Sequence, residues 1–157
     1  MQTPKQRLFE SASVYLDEIL ECSIQSVVTE SPIELELLRA LYLFSIVKYT
    51  QIPHERNAGQ TSLTVATQKK IGSYRVDFLI TTNETDIKVV VECDGHEFHE
   101  RTKQQAAKDK SRDRQLVSLG YAVLRFTGSE IWKDPWECAS EINDLIVNSW
   151  LKKWFAK

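Results

Sequence analysis

The stretch Ser73–His99, SYRVDFLITTNETDIKVVVECDGHEFH, leaves this chain few architectures. Two runs rich in β-branched and aromatic residues flank a polar turn at Thr81–Asp86, which holds Asn83 and Glu84. That pattern predicts two β-strands. Strand side chains alternate with period two, so Tyr74, Val76, Phe78 and Ile80 share one face, and Arg75, Asp77 and Leu79 the other. In the second run Val89, Val91 and Cys93 share a face, and Val90, Glu92 and Asp94 its opposite. Antiparallel pairing brings Asp77 towards Glu92 and Asp94. Gly95 ends the strand, and His96 and His99 follow closely.

Three carboxylates at a buried strand end repel one another, and one stays protonated unless a cation neutralises the group. A hard divalent ion, Mg²⁺ with Mn²⁺ as substitute, suits an oxygen-only site that leaves positions for water and phosphate. The plainer alternative is a sheet end whose acids are solvated or paired with Arg75, Lys88 or Arg125.

The 157 residues suffice for a core without disulfides. A formal charge of −2 gives no bulk attraction to nucleic acid or an anionic membrane, so a DNA-binding surface needs its basic residues concentrated in one place. Cys22, Cys93 and Cys138 have no paired or C-x-x-C spacing, which fits reduced thiols and a cytoplasmic location. The start of the sequence lacks the apolar run of a signal peptide, and no run reaches transmembrane length, so no membrane partner is expected.

In chain order, Lys5–Leu20 reads as an amphipathic helix, and residues 1–30 as that helix and a connection. Ser31-Pro32-Ile33-Glu34 is a helix start, with Ser31 as N-cap and Glu34 closing a capping box. The helix runs to about Lys48 and is apolar nearly all round. Lys48–Ser62 is a long loop holding His54, read as a surface histidine. Leu63–Lys69 is a first strand, before a turn at Ile71-Gly72. Glu100–Leu119 is a very polar helix stopped by Gly120. Its charges read either as a solvated face with ion pairs Asp109–Arg112 and Asp113–Lys110, or as a basic wall of Lys103, Lys110 and Arg114 that tracks a phosphate backbone. Tyr121–Phe126 is a strand, Ser129–Trp132 a helical turn, and a last helix follows Asp134-Pro135 to about Trp154. Trp132, Trp136, Trp150 and Trp154 read as core or subunit-contact aromatics. The expected fold is a mixed α/β sheet flanked by helices: a three-strand antiparallel meander plus a crossover strand parallel to its neighbour.

Ile71–Phe78 (IGSYRVDF), Val91–His99 (VECDGHEFH), Asp109–Phe126 (DKSRDRQLVSLGYAVLRF) and Ser31–Glu34 (SPIE), in this order, resemble the PD-(D/E)XK or restriction-endonuclease-like nucleases. The nearest likeness is to the very-short-patch-repair-like branch and to related endonuclease-like domains, some attached to helicases. The resemblance implies a restriction-endonuclease-like domain over 31–157, and a metal-dependent endonuclease that hydrolyses DNA in repair or in defence against foreign DNA. It makes Asp77 and Glu92 metal-holding residues, and Asp94 a third carboxylate standing where the half-motif has lysine. Gly95-His96-Glu97-Phe98-His99 matches a G-x-x-x-H context, which makes His99 the catalytic histidine and His96 a substitute. Glu34 matches a helix glutamate that completes such sites, although its capping role explains it equally, and Gln68 either touches the site or pairs within the sheet. Lys103 or Lys110 stands in for the absent lysine. DNA is the implied partner, with a homodimer or a helicase-like chain as further partners. Two rival readings remain: a nuclease fold without useful catalysis that binds nucleic acid, and an interaction protein with a Trp-rich face. A zinc site from Cys93, His96 and His99 matches no common spacing.

Overall fold

The structure is a computed structural model that describes residues 28–50, 63–82, 85–95 and 103–155, the side chains of 45–50 and Trp154 excepted. The expected Lys5–Leu20 helix, His54 and most of its loop, His96 and His99 lie outside the described residues. The elements are α1 (Pro32–Thr50), β1 (Leu63–Ile71), β2 (Tyr74–Thr82), β3 (Lys88–Asp94), α2 (Lys103–Ser118), β4 (Tyr121–Thr127), α3 (Gly128–Lys133) and α4 (Pro135–Phe155). They form one four-stranded sheet in the order β1-β2-β3-β4. β1–β2 and β2–β3 are antiparallel, and α2 carries the chain across so that β4 runs parallel to β3. The meander and crossover expected from the sequence are therefore present, as a mixed sheet flanked by helices.

Local chemistry sets the element ends. Ser31 Oγ accepts from Glu34 N at 3.3 Å, as an N-cap does. The return bond differs from a standard capping box, because Glu34 Oε2 takes the N–H of Glu30 at 2.9 Å. The β1–β2 hairpin turns on Gly72 and Ser73, with Gly72 at φ +57°, the left-handed residue that a two-residue loop needs. Gly120, at φ +86°, follows the end of α2. Thr127 and Glu130 form a full capping box on α3, and Asp134 Oδ1 caps α4 by accepting from Glu137 N at 3.0 Å.

Two apolar clusters sit on either side of the sheet. The larger joins Leu37, Leu38 and Leu41 of α1 to Phe78, Ile80, Val89 and Val91 of the sheet and to Ala139, Ile142 and Ile146 of α4. Trp136 packs on Phe44 within it, ring centroids 5.2 Å apart. Trp132 does not join it and is 53% exposed, because the short α3 turns Gly128 and Ile131 inward instead. The smaller cluster is Ile71, Val76, Val90 and Leu116, edged by Tyr74, Leu79, Tyr121 and Val123.

That membership corrects the strand faces. Strict alternation puts Tyr74 and Val76 with Phe78 and Ile80, yet Tyr74 and Val76 pack with Leu116, while Phe78 and Ile80 pack under α1 and α4. The alternation breaks at Asp77. None of the helices among the described residues is long and apolar enough to cross a membrane.

Leu116 is the one buried residue of α2. Leu116→Ala should lower stability by about 2–5 kcal/mol. Urea unfolding checks this, and a loss under about 1 kcal/mol would mean that α2 does not depend on that anchor.

Candidate functional site

The break at Asp77 has a backbone cause. The β1–β2 ladder pairs Thr67 with Phe78 and resumes at Lys69 with Val76, passing over Gln68 and Asp77. Gln68 lies at φ +48°, a left-handed conformation that is uncommon for a side chain of this kind and costs about 1–3 kcal/mol. On the other side, the β2–β3 ladder stops at Phe78–Val91. Asp77 thus sits where both ladders lapse. Its Oδ2 accepts the backbone N–H of Cys93 at 2.8 Å and so bridges the end of the β2–β3 pair.

Gln68 links this carboxylate to α1. Its Nε2 donates to Glu34 Oε2 at 2.8 Å, and its side chain also hydrogen bonds to Asp77. Glu34 is 5% exposed and takes the Ser31 hydroxyl on Oε1 at 2.8 Å. The helix-start glutamate therefore takes part in the start of α1 and also bonds Gln68 of β1.

Glu92 and Asp94 are buried, and arginines meet both. Arg112 Nη2 lies 2.6 Å from Glu92 Oε1 and also donates to the carbonyl of Arg75. Arg125 donates through Nη1 to Asp94 Oδ1 at 3.0 Å, and through Nε and Nη2 to Asp113 at 2.8–3.2 Å. Longer-range pairs than the intrahelical ones expected on α2 are present: Arg112 reaches Glu92, and Asp113 holds Arg125. Both are better placed than exposed pairs because their partners are desolvated and their geometry is fixed by the sheet.

The electrostatics follow. Burial pushes the Glu92 carboxyl up from 4.5 to about 7; Arg112 and Arg125 oppose the rise, and Asp77 and Asp94 add to it. Burial also raises Asp77, with Glu34 adding to the rise, against the Cys93 N–H, Arg112 and Gln68. Arg125 is held above its ordinary value, chiefly by its hydrogen bonds to Asp113. The Cys93 thiol is pushed far up by burial and then by Asp77, Glu34 and Glu92, which argues against a zinc thiolate there.

Glu34 lies within electrostatic reach of Asp77, and Asp77 and Asp94 within reach of Glu92, while Asp94 is held by Arg125. Lys103, Lys110 and Arg114 are exposed on α2. Among the described residues no three His, Cys, Asp or Glu side chains form a ready metal-ligand group. The donor chemistry nonetheless fits Mg²⁺, which takes one or two carboxylates and keeps waters and substrate phosphate for the rest. Arg112 is the site residue the sequence did not single out: it lies in the DKSRDRQL run, and only the crossover brings it to Glu92.

The REase_MTES_1575 family model matches residues 56–146. The chain belongs to this restriction-endonuclease-like family. Within the REase_MTES_1575 match lie Gln68, Asp77, Glu92, Asp94, Arg112, Asp113 and Arg125; Glu34 lies outside it. The chain is also similar to an uncharacterized protein of Haemophilus influenzae, 36% identical over 81 residues, 52% of this chain and 62% of that relative. The chain thus covers under two thirds of that relative's length. No solved structure matches it.

A carboxyl whose native pKa is raised binds its proton more tightly when folded, so protonation favours the native state. The contribution of Glu92 is therefore greatest below its ordinary 4.5, is lost as pH rises to about 7, and is level above that. Urea midpoints measured in EDTA from about pH 5 to about pH 7.5 should fall for the wild type and fall less for Glu92→Gln. Equal slopes would contradict this description of Glu92.

Proposed function

We propose that this chain is a metal-dependent endonuclease that hydrolyses DNA phosphodiester bonds, of the very-short-patch-repair-like kind, acting in DNA repair or in defence against foreign DNA. The observation that carries the reading is that Asp77 and Glu92 lie within electrostatic reach of each other at a lapsed strand end, both with raised pKa, in a restriction-endonuclease-like chain. Two buried acids with raised pKa are a pair for which a divalent cation is the natural neutraliser.

Asp77 and Glu92 would hold Mg²⁺, with Mn²⁺ as substitute. Glu92 would share its carboxylate between the cation and Arg112, which already bonds Oε1. Asp94, the third carboxylate, is bonded through Oδ1 to Arg125 and would share its charge between that arginine and the cation. The cation would supply Lewis acidity towards the phosphate and lower the pKa of a nucleophilic water. The chain's own residues do the rest. Gln68 and the Cys93 N–H fix the Asp77 carboxylate, and Glu34 steadies Gln68 from the start of α1. His99 is assigned proton transfer, since imidazole titrates near neutral pH. Lys103, Lys110 and Arg114, on the exposed surface of α2, are assigned the DNA backbone. A homodimer or a helicase-like partner chain would add substrate choice.

One observation favours a second reading, a nuclease-fold module that binds nucleic acid without cutting it. Arg112 and Arg125 already neutralise Glu92 and Asp94 without a metal. The two readings separate in one assay. Mg²⁺ should permit cleavage of plasmid DNA, EDTA should stop it, and Asp77→Asn should slow it on the order of 10²-fold or more. Asp77→Asn cutting at the wild-type rate would end the endonuclease reading. Tight DNA binding in EDTA with no cleavage in Mg²⁺ would favour the module.

A further inference from the structure

We propose that Arg112 is a catalytic residue of this site: its guanidinium contacts the scissile phosphate and carries the charge that builds there. This deepens the endonuclease reading and rests on it. Hydrolysis of a phosphodiester gathers negative charge on the non-bridging oxygens, and fixed cations aimed at them lower the barrier. Among the described residues, five carboxylates, Glu34, Asp77, Glu92, Asp94 and Asp113, interact with two guanidiniums, Arg112 and Arg125.

Of those two, Arg112 has more donors left. Arg125 spends Nε, Nη1 and Nη2 on Asp113 and Asp94. Arg112 uses Nη2 alone, for Glu92 Oε1 and the Arg75 carbonyl. Its Nε is buried and has no hydrogen-bond partner among the described residues. A buried N–H left in that state is costly; the Nη1 donors, which carry no hydrogen bond among the described residues and are not buried, are the ones open to a substrate oxygen. The side chain is also held in place rather than free to wander. It is 22% exposed, lies 5.7 Å from the centroid of the Tyr74 ring, and is tied at Nη2 to β2 and β3. A guanidinium fixed at Nη2 and carrying no hydrogen bond at Nη1 among the described residues has its Nη1 donors left for a phosphate oxygen.

The position also explains the ion pair with Glu92. Without metal or substrate, Arg112 offsets the charge of Glu92, as the downward pull of Arg112 on the Glu92 pKa reflects. Glu92 Oε1 keeps Arg112 beside the acids that would hold the cation, where the guanidinium would add its positive charge to that of the cation. Lys103 and Lys110 are exposed and have no such tether among the described residues.

The experiment compares wild type, Arg112→Lys and Arg112→Ala on one oligonucleotide duplex in Mg²⁺, with kcat, KM, DNA affinity and thermal midpoint read for each. Arg112→Ala should lose about 10²-fold or more in kcat, with KM and DNA affinity changed far less. Arg112→Lys should keep part of the activity, and millimolar guanidinium should restore part of it to Arg112→Ala, a rescue that a purely structural role would not produce. The proposal is overturned if Arg112→Ala cuts at the wild-type rate, or if its loss tracks a fall in thermal midpoint and neither lysine nor guanidinium recovers it. Failure of the wild type itself to cut would bring down the endonuclease reading beneath it, whereas an active wild type with an indifferent Arg112 removes this inference alone.

Discussion

The site depends on a side chain doing the work of a backbone. Past Phe78–Val91 the β2–β3 ladder has ended, and the Cys93 amide finds its acceptor in the Asp77 carboxylate. A buried amide without an acceptor costs on the order of 1–3 kcal/mol, so Asp77 helps to close the sheet end as well as to furnish an acid. The same bond fixes where its carboxylate points. The left-handed Gln68 opposite it completes the arrangement, because leaving the ladder there frees the Gln68 amide to join Asp77 to Glu34. Backbone strain at that residue is the kind that surrounding bonds must hold in place.

The second dependence is ionic. α2 is polar along most of its length and buries only Leu116, near its end. What holds its middle is Arg112 on Glu92 and Asp113 on Arg125, with Tyr74 bonded to Gln115 beside them. The helix is thus docked on the acids of the site, and anything that changes the charge of Glu92 changes the helix's grip. Buried ion pairs of this sort are a modest source of stability but a strict constraint on geometry. Site chemistry and helix position are coupled by construction.

Most of the fold could be read from sequence because each element carries its own periodicity and end signals. Ser31-Pro32, Gly72, Gly120 and Asp134 mark ends found within a residue or two of the expected places, and Val89 to Asp94 alternates as written. The failures are non-local. Nothing in the spacing of β2 tells that Tyr74 and Val76 leave the face of Phe78, since the cause is the backbone of Gln68 on a different strand. Likewise Arg112 looks, in sequence, like a partner for Asp109 three residues earlier. Its bond to Glu92 spans twenty residues and exists only because α2 crosses back over the sheet. Asp77 and Glu92 were legible because acids interrupt apolar strands; the arginine that answers them sits in a helix crowded with charge, where no single residue stands out.

The central claim is that Asp77 and Glu92 share a divalent cation. A crystal soaked in Mn²⁺ and measured for anomalous scattering tests it directly. The account predicts one strong peak within ligand distance of both carboxylates, with Arg112 still on Glu92. A map with no peak there, or with manganese bound only elsewhere on the molecule, would contradict it.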